Sequence, residues 1–149
     1  MLGLKFARLI EKHSQRLGEG LAHKLRTSER TEGFRIIPEE ELARDIVRLY
    51  ANLADWIGMR TEQDVEKRYR EIGRRRAEQG IPAEELVWAL VLSKEHLWHF
   101  LQRESTADGA LELFGELDFL LSLEQFFDRA TYHAMAGYSG VKKKKEAAA

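Results

Sequence analysis

The stretch TEQDVEKRYREIGRRRAEQGIPAEELVWALVL, Thr61 to Leu92, decides the fold. Thr61 followed three residues later by Asp64 makes a capping pair, the short acid taking the role usually held by Glu or Gln. Val65, Tyr69, Ile72 and Arg76 then step by four, three and four, the spacing of one helix face. Gly80 stops that helix and Pro82 opens the next, each residue at the helix end it suits. LVWALVL follows, apolar on nearly every side, as expected of a helix touched by neighbours on several faces. The stretch therefore predicts two helices joined by a tight turn, the second of them central.

The rest of the chain extends the pattern. Phe6, Leu9, Ile10, His13, Leu17, Leu21 and Leu25 predict a helix from about Leu4 to Leu25. A second opens at Pro38, with Glu39, Glu40 and Glu41 at the positive end of its dipole. It runs through Leu42, Ile46, Leu49, Leu53 and Trp56 to Gly58. A fifth, from about Gly109 to Gly137, carries Leu113, Leu117, Leu120, Phe127, Ala130 and Ala134. Its later half is small-residued, which invites another helix to approach closely. No strand alternation and no internal repeat is found, so the fold class is all-α, a helical bundle of about five helices. Residues 1–139 form one all-α domain, and residues 140–149, with four consecutive lysines, are expected to be a disordered Lys/Ala tail.

Bulk properties exclude several classes. The 149 residues are 44% hydrophobic and 33% charged, the balance of a globular domain. Cys is absent, which removes disulfides, thiolate metal sites and a cysteine nucleophile together, and suits a cytoplasmic location. No apolar run approaches the roughly 20 residues that span a bilayer, and the start has no signal-peptide core. The formal charge is −1, which gives no strong pull toward polyanions.

One segment is nonetheless basic: residues 66–76 hold six basic and two acidic residues. Glu66–Arg70 and Glu71–Arg75 are spaced as helical ion pairs, and cations suit a helix C-terminus. A nucleic-acid groove needs a wider basic field with aromatic readers, so no nucleic-acid partner is expected. Arg76 stands apart, because it falls on the apolar seam. So do Ser93 and His96, in the series Leu86, Ala89, Ser93, His96, Phe100. Glu124 and Asp128 follow Leu117 and Leu121 in the same way. Arg76, Ser93, His96, Glu124 and Asp128 thus predict either a buried polar network or a small-ligand pocket between helices.

Other chemistry is thinner. His96, His99 and His133 suggest a metal or haem site, but a carboxylate-bridged bundle site needs paired Glu-x-x-His motifs, and none occurs. AHKLRTS, Ala22 to Ser28, is similar to a histidine-kinase phosphoacceptor box through His23. Lys24 replaces its usual acid, Ser28 its proline, and no nucleotide-binding domain fits in the chain. No phosphate loop or nucleophile elbow is present. No enzyme, cofactor or metal is expected.

YREIGRRRAEQGIPAEELVWAL from Tyr69, with Leu97 and Trp98 beyond it, resembles the N-terminal sensory domain of RsbT co-antagonist (RsbR-type) proteins. So do FFDRATYHAMAGY from Phe126 and FRIIPEEELARDIVRLYANLADWI from Phe34. The likeness covers most of residues 1–139. It implies an all-α input module that receives a signal, forms a homodimer and passes the change to an output domain that partners a stress-response kinase. It makes Arg76 and the segment Phe126–Tyr132 family features and assigns them no ligand. No output domain follows Tyr138 in this sequence, so the chain reads as a stand-alone sensor or as one cut there.

Overall fold

The structure is a computed structural model that describes residues 4–104 and 116–149. Among them there is no strand, and the helical segments number eight. They are α1 (Leu4–Lys12), α2 (Ser14–Thr27), a 3₁₀ segment (Glu29–Ile36), α3 (Glu39–Ala51), α4 (Leu53–Gly58), α5 (Glu62–Glu78), α6 (Ala83–Glu104) and α7 (Leu117–Ala148). The expectation of about five is corrected by two breaks and by the 3₁₀ segment. At His13 (φ −103°, ψ 16°) the N–H is shared between the Leu9 and Ile10 carbonyls, and the chain turns there. At Asn52 the side-chain amide donates to the Arg48 carbonyl at 2.8 Å, competing with the backbone ladder. Polar residues between α2 and α3 wind into the 3₁₀ segment, which is held by Thr31 Oγ1 donating to the Leu25 carbonyl at 2.6 Å.

The α5–α6 unit forms as expected. Thr61 N–H donates to Asp64 Oδ2 at 2.9 Å and Asp64 N–H to Thr61 Oγ1 at 3.2 Å, closing the reciprocal cap. Gly80 adopts φ 78°, which a side chain would resist. The expected start of the last helix near Gly109 lies outside the described residues. In the structure α7 continues through the lysines to Ala148. Lys, Glu and Ala are good helix formers, and the ladder carries across Gly140, which weakens a helix by about 1 kcal/mol relative to Ala.

Two helix pairs approach unusually closely. Gly18 of α2 lies against Val47 of α3, and Gly73 of α5 against the Ala134 carbonyl of α7. Gly137 of α7 faces the Arg70 carbonyl in the same way, so α5 and α7 meet backbone to backbone. Phe126 of α7 is the hub of an aromatic cluster, its ring centroid 6.4 Å from Trp56, 5.8 Å from Tyr69 and 5.4 Å from Phe127. Such pairs add about 0.5–1.5 kcal/mol each beyond simple burial. The α6 helix packs against α2, the 3₁₀ segment, α5 and α7, the central place its apolar sequence indicates. No described helix is long and apolar enough to cross a membrane.

Candidate functional site

The α5 helix presents more than one face inward. Val65, Tyr69, Gly73 and Ala77 pack into the core, while Arg68, Ile72, Arg75 and Arg76 line a cavity of about 530 Å³. Phe34, Leu42, Leu49, Leu86 and Leu90 supply apolar walls from the 3₁₀ segment, α3 and α6. Ser93 lines the same space. Its hydroxyl donates to the Ala89 carbonyl at 2.9 Å, and its own carbonyl accepts from Tyr50 Oη at 3.0 Å.

Arg76 is 5% exposed, so the arginine on the seam does enter the fold. Its Nη1 donates to Gln79 Oε1 at 3.0 Å, and the guanidinium lies 5.8 Å from the Phe34 ring centroid. No carboxylate comes within ion-pair distance of it among the described residues. Burial lowers its pKa, and Arg75 adds to that; Asp45 and Glu41 oppose it. Guanidinium pKa values lie so far above neutrality that the group stays charged. A buried cation held by one neutral amide is an expensive arrangement.

The expected Glu71–Arg75 pair is not made. Arg74 takes both Glu71 and Glu78, whereas Glu66–Arg70 forms as expected at 3.4 Å. Arg74 and Arg75, three and four residues beyond Glu71, both neighbour it on the helix surface, and Arg74 makes the pair. Arg75 is thereby released toward the cavity, and its Nε and that of Arg68 are buried without partners. Arg68, Ile72 and Arg75 follow one another at four and three residues, a signal the sequence offers beside Arg76.

The remaining candidates lie elsewhere. His96 Nε2 is 3.1 Å from the Leu17 carbonyl, and burial lowers its pKa. Glu124 accepts from Lys94 at 3.0 Å and from Trp98 Nε1 at 2.8 Å, a separate α6–α7 link. Asp128 sits on the exposed face of α7. Leu117 and Leu121 are exposed there as well, at 47% and 54%. The face of α7 that is buried runs instead through Leu120, Leu123, Phe127, Ala130 and Ala134. The five candidates therefore do not converge: Arg76 and Ser93 share the cavity and the other three do not.

The histidines are also dispersed. His99 is exposed, and His133 Nε2 is 2.8 Å from Glu62 Oε1, a carboxylate that also accepts from Arg129 at 2.7 Å. His23 is a surface residue with Nδ1 3.1 Å from Glu39 Oε1. Among the described residues no three His, Cys, Asp or Glu side chains gather as metal ligands.

Compared with known proteins, residues 15–144 match a family model described as the RsbT co-antagonist protein rsbRD N-terminal domain. No curated protein and no solved structure matches the chain.

Proposed function

The chain belongs to the family of the RsbT co-antagonist protein rsbRD N-terminal domain, and from that premise we propose that it is a non-enzymatic input module that senses a signal and relays it to a protein partner as a homodimer. The partner is a signalling output protein or kinase. The family places the chain among stress-signalling regulatory domains; sensing, relay and dimerisation are our reading.

The observation that carries the proposal is the course of α7. A helix of 32 residues is about 48 Å long. It contributes Phe127 to the cavity, meets α5 backbone to backbone at Ala134 and Gly137, and then exposes its lysines. Tyr138 Oη donates to the Ile81 carbonyl at 2.6 Å, tying α7 to the α5–α6 turn. One continuous helix thus spans a cavity at one part of its length and an exposed segment at another. Movement of α5 over the cavity is delivered along α7, because two close-packed backbones shift together.

Self-association is supported by α7's outer face. Leu117, Leu121 and Tyr132 are exposed on it, at spacings that keep them on one side of the helix. Sedimentation equilibrium tests this directly. The wild-type chain is expected to show a concentration-dependent dimer that Leu121→Glu dissociates without loss of helicity. A wild-type monomer at high micromolar concentration overturns the dimeric relay.

A further inference from the structure

We propose that the cavity under α5 binds a small organic anion, a carboxylate with an apolar body, and that Arg76 receives the carboxylate. The proposal names the chemistry of the signal. It rests on the sensory reading for what binding would do, and on geometry alone for the binding.

The charge distribution in the cavity is one-sided once existing bonds are assigned. Of its three acids, Asp64 is engaged by the Thr61 cap and Glu71 by Arg74. Only Asp45 is left to oppose the cations. Arg60, on the same wall, is held by Asp55 at 2.7 Å. Among the described residues Arg68, Arg75 and Arg76 have no carboxylate partner, and the first two each bury an Nε with nothing to donate to. Arg68 is further fixed over the Trp56 ring, 5.0 Å from its centroid. Arg76 is the deepest of the three, and its planar fork suits two-point contact with a carboxylate.

The walls define the rest of the ligand. Phe34, Leu42, Leu86 and Leu90 are apolar, and about 530 Å³ lies within the usual range for small-molecule sites. A hydrophilic dianion would leave these walls without a partner, whereas a neutral lipid would leave Arg76 as it is. An acid with an apolar body satisfies both features. The fold otherwise has no use for a buried, carboxylate-free arginine, since burial of a charge is tolerated where it is paired.

The experiment uses octanoate as probe, with acetate and octan-1-ol as controls for charge without body and body without charge. Titration calorimetry on the full chain is expected to give saturable one-to-one octanoate binding, at least about tenfold tighter than either control. Arg76→Gln is expected to weaken octanoate about tenfold, the loss of one charge-assisted contact, and to leave octan-1-ol unchanged. Arg75→Gln, at a half-exposed site that does not threaten folding, is expected to weaken octanoate severalfold and serves if Arg76→Gln fails to fold. Absence of saturable octanoate binding, or unchanged octanoate affinity in the folded variants, overturns the proposal. Amide exchange along α7 on the same samples judges the relay separately: binding without change in α7 upholds the site and refutes the sensory reading.

Discussion

Gly73 of α5 lies so close to the Ala134 carbonyl of α7 that a single added methyl group would overlap it. The contact is with backbone, which cannot rotate away as a side chain can. Gly73→Ala is therefore expected to destabilise the fold by about 1–3 kcal/mol, the range for overpacking a close contact. At about 2–4 °C of Tm per kcal/mol for a domain of this size, thermal unfolding resolves it readily. Gly58→Ala, where nothing lies within 4 Å of the new Cβ, is expected to leave Tm nearly unchanged.

The Thr61–Asp64 cap is a local device with a local cost. Thr61→Ala removes the acceptor for Asp64 N–H and is expected to cost about 1 kcal/mol in urea unfolding. Thr61→Ser keeps the acceptor and is expected to restore most of that loss.

Arg76 gives a less usual expectation. With no carboxylate partner in the cavity, Arg76→Met replaces a buried charge by an apolar chain of similar length. Removing an unpaired buried charge removes its desolvation cost, so the ligand-free variant should melt at or above the wild-type temperature. Asp45→Asn is expected to act oppositely, since it removes an acid that favours the charged form of Arg76. Urea unfolding of both variants checks the pair.

The pH dependence follows from two depressed groups. The Glu62 carboxyl is held below its ordinary 4.5, chiefly by the hydrogen bond to His133 and then by that to Arg129. A lowered acid contributes stability above its unfolded pKa and loses it as pH falls through the folded value, so the loss begins below about pH 4.5. His96 is a base whose pKa is lowered from 6.5 by burial. The unfolded chain binds its proton first, so stability decreases as pH falls below about 6.5 and levels off beneath the folded value. Denaturation midpoints measured from pH 7.5 to 3.5 are expected to lose the upper step in His96→Gln and part of the lower one in Glu62→Gln.

Much of this arrangement is legible in the amino-acid order itself. The cap at Thr61, the stop at Gly80 and the restart at Pro82 all follow from local chemistry and spacing, because each is decided within one or two turns. The small residues Ala130, Ala134 and Gly137 likewise invite a close helix approach, and the structure shows the partner to be α5. Spacing cannot, however, say which of two apolar stripes turns inward. Leu117 and Leu121 repeat as regularly as Leu120 and Leu123, and only assembly decides between them. Asp128 lies on the outer stripe for that reason. Glu71 illustrates a second limit, since Arg74 and Arg75 both lie within its reach and competition fixes the pairing. The cavity belongs to a third kind, being made by segments far apart in sequence, from Leu25 of α2 to Phe127 of α7.

The relay along α7 is the central claim, and amide hydrogen exchange with and without octanoate tests it most directly. Saturating octanoate is expected to alter protection in α5 around Ile72 and, together with it, in α7 from Phe127 through Val141. Protection that changes around the cavity while α7 exchanges as before would contradict the account.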